Sequence, residues 1–206
     1  MVQSWRRRSV LAAVTVVTLA ALGGAAYYLS HGGTLLPDKA DESNGASLPP
    51  QAPPDLQKLR PAYTAGVQAL QRDDGEEAVR QLSSFTFGSR AVEEYRLYYL
   101  ANAHQLAGND AAARLTLARL WRRSPRLIHA NDAGFTLANL YAADGDPARS
   151  ADVYTAIAGR GEAAVVTAIA RWNAVGQFLR AGDLAGALYN ARDILIHHPR
   201  SDEAKH

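Results

Sequence analysis

Aromatic residues recur at a nearly constant spacing through most of the chain. The intervals are 35, 37 and 37 residues, and the four positions are Tyr63, Tyr98, Phe135 and Trp172. Asn102 and Asn139 each follow one of these aromatics by four residues, which places an amide one helical turn from a ring. Rings offer flat apolar area, and amides pair with peptide groups or hydroxyls. The pattern favours a surface that binds an extended peptide or a sugar strand; the alternative is that the rings are ordinary core between helices.

The histidine pattern does not indicate a metal centre. His197 and His198 are adjacent at the end of a predicted helix and therefore point in different directions. His129 and Asp132 are three residues apart, but two ligands do not make a site. His104 is expected on the inner face of a helix as a core residue. The chain has no cysteine, so we expect no thiolate site, no metal and no cofactor.

The carboxylates do not form a pattern typical of catalysis. Acid–base catalysis needs a carboxyl with a raised pKa and a partner in a cleft. The pairs Glu76-Glu77 and Glu93-Glu94 are better explained as first-turn acids that the helix dipole favours. The glycines of Gly159-Arg160-Gly161 join two predicted helices rather than forming a phosphate loop. We therefore expect a protein that is not an enzyme.

The elements that position these residues are helices. From Asp55 onward the helical period dominates and no stretch alternates as a strand does, which predicts an all-α domain over residues 55–206. Gly108, Gly145 and Gly182 recur at intervals of 37 residues, and Asp73 takes the glycine's place 35 residues before the first of them. A fixed period of this length is typical of a repeat architecture.

The residues around each glycine predict a helix end followed by a new helix. A tight turn after a helix needs a left-handed residue, which glycine adopts freely and aspartate tolerates. The following residues, Asn109, Asp146 and Asp183, are suited to cap the next helix, and Pro147 suits a first helical position. Second helices are expected to close near Pro125 and Pro199, because proline stops helix propagation.

The recurring unit resembles the tetratricopeptide repeat over residues 60 to 200. With the glycines at the family's turn, its later small residue falls on Ala78, Ala113, Ser150 and Ala187. The family's opening tryptophan is replaced by Leu97, Gly134 and Arg171. The resemblance implies a right-handed superhelix of about four helix pairs, whose first helices line a concave face. The four spaced aromatics, with Asn102 and Asn139, would lie along that face.

A narrower resemblance involves the helical superhelix of soluble lytic murein transglycosylases. It rests on the run at residues 94–101, on Gly108-Asn109, and on the ending at residues 198–204. That family carries its chemistry in a separate domain with Glu-Ser and Gly-Leu-Met-Gln motifs. Here the only Glu-Ser pair is Glu42-Ser43 and the only methionine is Met1. We therefore expect the catalytic domain to be absent from this sequence and its activity not to carry over.

The N-terminal residues 1–30 have the pattern of a signal anchor or a signal peptide. Three arginines, residues 6–8, precede 22 uncharged residues from Ser9 to Ser30, which would extend about 33 Å as a helix, against a hydrocarbon core of roughly 30 Å. The charge step predicts a cytoplasmic N-terminus. Small residues up to Ala26 offer a cleavage site as the alternative; a buried core helix fits the flanking charges poorly. The domain is then expected outside the cytoplasm, either periplasmic and held at the inner membrane or exported after cleavage near Ala26.

Residues 31–54 and the charge balance complete the organisation. The segment 31–54 is rich in proline, glycine and charged residues and predicts a disordered linker. Three of the 22 basic residues lie in the N-terminal segment, which leaves 19 against 20 acidic residues. A nearly neutral domain is not expected to bind nucleic acid.

Together these patterns predict a non-catalytic scaffold or adaptor of the cell envelope. Its helical repeats would bind a protein or peptide partner, and residues 9–30 would hold it at the membrane. The alternative is the superhelical, peptidoglycan-associated module of a lytic transglycosylase without its catalytic domain.

Overall fold

The computed structural model describes residues 56–123, 125–161 and 163–205, with side chains from Leu59 onward. The predicted anchor or signal segment 1–30 and the linker 31–54 lie outside these residues. Among the helices described, none is both long enough and apolar enough to cross a bilayer.

All regular structure in the described residues is helical, as the sequence predicts. A short 3-10 helix, Glu203–Lys205, follows eight α-helices. The α-helices are α1 (Leu56–Gln71), α2 (Gly75–Ser83), α3 (Arg90–Leu106), α4 (Asp110–Trp121), α5 (Ala130–Ala143), α6 (Pro147–Gly159), α7 (Ala164–Ala181) and α8 (Leu184–His197). We call the odd-numbered members first helices and the even-numbered members second helices.

Each α-helix packs against the next one along the chain, and α1 also contacts α3. A short turn joins each first helix to its second helix, so the chain forms four consecutive helix pairs. Two of the second helices end shortly before a proline: α4 ends at Trp121 and α8 at His197, ahead of Pro125 and Pro199.

The turn within each pair is built in the same way four times. Asp73, Gly108, Gly145 and Gly182 have φ values of 58°, 74°, 77° and 77°, in the left-handed region. The next residue donates its backbone N–H to a carbonyl five positions earlier, at 2.8–2.9 Å, which is the Schellman closure of a helix. The prediction that Asp73 replaces a turn glycine is confirmed.

The predicted caps Asn109, Asp146 and Asp183 are also confirmed, and Asp74, which was not predicted, caps α2 in the same way. The side chains of Asp74, Asn109, Asp146 and Asp183 each accept a hydrogen bond from the backbone N–H three residues on, at 2.9–3.0 Å. Each cap satisfies one of the free N–H groups at a helix start. Pro147 occupies the first turn of α6, where its missing N–H has no cost.

Small side chains let the helices approach one another closely. The repeat's small residues are all buried: Ala78, Ala113, Ser150 and Ala187. Gly134 has a related role, because a Cβ at this position would lie 2.7 Å from two ring carbons of Trp121. The Trp121 ring therefore occupies the space that a side chain at position 134 would need.

Candidate binding surface

The six residues predicted to bind a partner lie on the four first helices. Tyr63 is on α1, Tyr98 and Asn102 are on α3, Phe135 and Asn139 are on α5, and Trp172 is on α7. We call the four aromatics the aromatic ladder. Its members differ in exposure: the first three are half-buried, whereas Trp172 is 40% exposed.

Tyr63 and Tyr98 are joined through a residue that the sequence pattern did not single out. The Tyr99 ring lies edge-on to both, with centroid separations of 6.2 Å to Tyr63 and 5.6 Å to Tyr98. Burial raises the pKa of Tyr99 to about 12 and also raises the pKa of Tyr63. These phenols therefore remain neutral throughout the physiological range and act as packing surfaces.

The contacts continue in both directions and form a row of six rings. Tyr63 meets Phe87 at 5.8 Å, Phe87 meets Phe85 at 5.1 Å, and at the other end Tyr98 stacks on His129 at 4.9 Å and 7°. We call this set the aromatic row; in spatial order it is Phe85, Phe87, Tyr63, Tyr99, Tyr98 and His129. Offset and edge-on ring pairs of this kind add to the stabilisation from burial alone.

The amides beside the ladder are engaged within the protein. Asn102 hydrogen-bonds Tyr98; burial still raises the pKa of Tyr98 despite this bond. The Asn139 Oδ1 accepts a hydrogen bond of 2.7 Å from the Tyr154 hydroxyl. Phe135 packs edge-on against the same Tyr154 ring at 5.7 Å. Both predicted amides thus support ladder aromatics or their neighbours.

Trp172 lies in a continuous apolar stripe along α7. The stripe residues are spaced by 4, 3, 4 and 3 positions, which aligns them on one face of a helix. We call this set the α7 stripe: Val165, Ile169, Trp172, Gly176 and Leu179. All five are exposed. The opposite face of α7 is buried through residues that include Ala170 and Ala174.

The ladder is therefore divided between packing and exposure. Tyr98 and Phe135 pack against the main hydrophobic core with one part of each ring and remain accessible with the rest. Trp172 contributes the largest exposed ring surface, at the centre of an uncharged stripe. Use of the ladder as a binding surface stays a prediction, and Trp172 is its most accessible member.

Sequence reasoning missed a buried ion pair at the start of α3. Glu93 does lie in the first turn, as predicted, but it is buried and bonded to Arg96 by both carboxylate oxygens at 2.6 and 2.7 Å. The Phe87 N–H donates to the same carboxylate at 3.0 Å, and Arg96 donates to the Leu82 carbonyl at 2.7 Å. Burial acts to raise the pKa of Glu93, but the hydrogen bonds from Arg96 and Phe87 outweigh it and the pKa lies below its usual value.

The adjacent Glu94 is buried as well, and it fixes a different connection. It accepts hydrogen bonds from Arg90 Nε at 2.8 Å and from the Arg126 backbone N–H at 3.0 Å. The two neighbouring carboxylates thus hold the two segments that flank the α3–α4 pair. The sequence did contain a hint of the ion pair, because Arg96 follows Glu93 by three residues and can reach it on a helix. That spacing does not show whether the pair is buried.

A second buried polar cluster joins α7 to α8. Arg171 donates to Asn190 Oδ1 at 2.9 Å and pairs with Asp193 at 3.1 Å. Asn190 in turn donates to the Gly186 carbonyl at 2.9 Å, and Asp193 also lies 3.2 Å from His197 Nδ1. These bonds hold α8 against α7 from its inner side.

The histidines are distributed over separate places. His104 is half-buried, and burial lowers its pKa. His129 Nδ1 lies 3.4 Å from Asp132. Within the residues that the structure describes, no group of three or more His, Asp and Glu side chains is arranged to hold a metal ion.

Comparison with known proteins adds no assignment to this geometry. No family model matches the sequence, and no curated protein does.

Proposed function

We propose that this chain is a non-catalytic adaptor of the cell envelope that binds a partner polypeptide along its first helices. In this proposal the four helix pairs form a right-handed, tetratricopeptide-like superhelix. The domain lies outside the cytoplasm, held at the inner membrane by residues 9–30 or released by cleavage near Ala26.

The observation that carries the proposal is the exposed α7 stripe. An uncharged row of five apolar or small residues runs along one first helix, with Trp172 at its centre and in register with the aromatic ladder. Exposed contiguous apolar surface is typical of interaction sites, and tryptophan is enriched among the residues that dominate binding free energies. Gly176 adds a notch, because a Cβ there would have no atom within 4 Å.

The apolar composition of the α7 stripe favours a polypeptide over a sugar strand. Recognition of sugar hydroxyls needs accessible hydrogen-bonding groups beside the rings. Asn102 is bonded to Tyr98, and Asn139 is exposed but uses its Oδ1 on Tyr154; neither amide lies on the α7 stripe. An apolar stripe offers a polypeptide partner what it needs, which is burial of apolar side chains.

The proposal is tested by photo-crosslinking in cells that express the full chain. A benzophenone amino acid at position 172 is expected to capture one defined protein, whereas the same group at position 115 is expected to capture none. Leu115 is a matched control because it is also an exposed large apolar residue but lies on the second helix α4. In a pull-down of that partner by the chain without the photo-crosslinking group, Trp172→Ala should lower recovery by at least roughly tenfold, as expected for an interface residue worth more than about 1.4 kcal/mol.

Co-sedimentation with purified murein sacculi distinguishes the alternative function. If the chain binds sacculi, Trp172→Ala abolishes that binding and no protein adduct forms at position 172, the adaptor function would be wrong. The result would favour a peptidoglycan-associated module instead. Because Trp172 is 40% exposed, its substitution should leave the helical circular dichroism signal unchanged. Loss of that signal would instead show that the ring belongs to the core.

A further inference from the structure

The helix α8 exposes large apolar side chains along one face. Leu184, Leu188 and Leu195 are 66%, 70% and 60% exposed. With the half-buried Ala191 they are spaced by 4, 3 and 4 positions, so they lie in one line along the helix. We call these four residues the α8 stripe. It lies on a second helix and is distinct from the α7 stripe.

The repeat shows what this face does elsewhere in the molecule. Two repeat lengths before Leu195 stands Trp121, whose ring lies against Gly134 of the next first helix, α5. At the position two repeat lengths before Leu188, Arg114 lies over the Tyr141 ring of α5 at 5.6 Å and pairs with Asp144 at the end of α5 at 3.2 Å. In α4, therefore, these positions pack against the following helix.

The same positions are buried in α6. Ala151 and Ala158, one repeat length before Leu188 and Leu195, are buried between helices. The α8 stripe thus occupies a face that packs against a helix in the preceding pairs. Among the residues that the structure describes, no α-helix follows α8; the short 3-10 helix Glu203–Lys205 follows it and contacts both α7 and α8.

We propose that a second copy of this chain covers the α8 stripe, with the two α8 helices packed antiparallel. The stripe is self-complementary about a point between residues 189 and 190. Leu184 then faces Leu195 of the second copy, and Leu188 faces Ala191 of the second copy. A large residue opposite a small one near the centre and two leucines at each end give evenly filled layers. A twofold arrangement needs this property, because the same patch must match itself.

The charges near the stripe are compatible with this arrangement. Arg192, at the edge of the stripe, falls beside Ala185 of the second copy rather than beside its own equivalent. Asp193 is directed to the interior, where it pairs with Arg171. No pair of like charges is therefore forced together at the centre of the contact.

In a head-to-tail arrangement, α8 of one copy would contact α1 of another, and the two surfaces are less complementary. Apart from those of its first three residues, the α1 side chains are described, and none of its large apolar side chains is exposed. Its exposed residues include Arg60, Thr64 and Gln68. A leucine stripe against this polar surface would desolvate polar groups without supplying partners for them.

The absence of cysteine from the chain allows a direct crosslinking test on the full-length protein in cells. Leu184→Cys and Leu195→Cys are introduced singly and together. Positions 184 and 195 are about 16 Å apart along one helix, too far for a disulfide within one chain. After mild oxidation the double variant should run as a covalent dimer, and two differently tagged single variants should crosslink to each other when they are expressed together.

Controls separate this contact from general adhesion. Leu115→Cys, at a site with the same 66% exposure on α4, should give no dimer, and neither should either single variant alone. Adding Leu188→Asp to the double variant should lower the dimer yield roughly tenfold, because a carboxylate would be buried without a partner. Leu115→Asp should not change the yield.

Two results would overturn the proposal. Crosslinking of Leu184→Cys to itself would show a parallel contact. Failure of the 184–195 pair to crosslink, in a chain that is folded by circular dichroism and monomeric by sedimentation, would exclude the second copy and leave the stripe to another partner's helix. Neither result depends on Trp172, so the adaptor function is tested independently.

Discussion

The start of α3 and the helix α8 both lie where one helix pair meets other structure, but they are built from opposite chemistry. At α3 the connections on either side of the pair are closed by buried charged side chains. At α8 the face that points away from α7 carries exposed apolar side chains. One repeated scaffold therefore combines a hydrogen-bonded region within the stack and an exposed apolar surface on its last pair.

Hydrogen bonds make the α3 region specific. Glu93 and Glu94 together hold backbone groups of Phe87 and Arg126, one in each flanking connection. Such bonds have strict geometry, so they fix the orientation of the neighbouring pairs. The aromatic row lies beside them and adds apolar contacts between α1, α3 and the connections that flank the α3–α4 pair.

The α7–α8 pair is held on its inner side by Arg171 and Asn190 but has apolar side chains on its outer surface. Of the twelve exposed large apolar residues in the described part of the chain, nine lie between Val165 and Ile196. Apolar burial is not directional, so this surface can accept a partner without a fixed set of hydrogen bonds. The difference places buried, directional hydrogen bonds near α3 and exposed apolar surface near α7 and α8.

Removal of the buried guanidinium at α3 should have the largest effect. Arg96→Met leaves Glu93 buried without its cation and should lower the free energy of unfolding by about 3–5 kcal/mol. Urea unfolding of the full chain in mild detergent, followed by circular dichroism, measures the change. The double variant Glu93→Gln/Arg96→Met should recover part of the loss because no buried charge remains. A loss below about 1 kcal/mol in the single variant would contradict the role assigned to the pair.

The same ion pair predicts a dependence on pH. The pKa of Glu93 is lower in the folded chain than its ordinary value of 4.5, so the folded state binds this proton less readily than the unfolded state. Its stabilising contribution is present above about pH 4.5 and is lost as the pH falls through the lowered folded pKa. The Glu93→Gln variant should lack this part of the acid-dependent loss.

A smaller effect is expected where Gly134 meets the ring of Trp121. In Gly134→Ala the new Cβ would lie 2.7 Å from the Trp121 ring and 2.9 Å from Ile157 Cγ1, and overpacking of this kind costs typically 1–3 kcal/mol. Thermal unfolding of the variant should show a lower midpoint than that of the parent chain.

Gly176→Ala is the matched control from the exposed end. Gly176 is also a helix-interior glycine, but a Cβ there would have no atom within 4 Å. Alanine should therefore stabilise α7 by roughly 0.5–1 kcal/mol through helix propensity. Destabilisation by both substitutions to the same extent would contradict the contrast between a packed centre and an open α7 face.

The local features of this fold were predictable from the sequence. A glycine or aspartate in the left-handed region and a capping side chain on the next residue depend on a few consecutive residues, so Asp73, Gly108 and their equivalents could be identified by type and spacing. The positions of the four small residues came from the resemblance to the tetratricopeptide repeat, whereas their burial is a finding of the structure. The all-helical class required only the absence of strand alternation and a sustained helical period.

Features that join distant residues were not predictable in this way. Glu93 and Glu94 look like ordinary first-turn acids, and only the path of the flanking connections shows that backbone N–H groups meet them. Tyr99 and His129 complete the aromatic row although neither belongs to the repeating aromatic position. The α8 stripe was hidden for another reason: its spacing is that of any amphipathic helix, and exposure depends on which helices surround it.

The smallest predicted effect concerns buried polar side chains. It tests whether such groups stabilise the fold only when they are hydrogen-bonded, as Glu93 and Arg96 are on α3. Ser150 is fully buried on α6 at a position where three other pairs have alanine, and its hydroxyl has no hydrogen-bond partner among the residues that the structure describes. Ser150→Ala removes an unpaired polar group and improves helix propensity, so stability should be unchanged or rise by up to about 1 kcal/mol. Asn190→Ala is the control: this buried amide bonds both Arg171 and the Gly186 carbonyl, and its loss should cost roughly 1–3 kcal/mol. If Ser150→Ala destabilised the chain as much as Asn190→Ala in the same urea titration, hydrogen bonding would not be what makes a buried polar group stabilising.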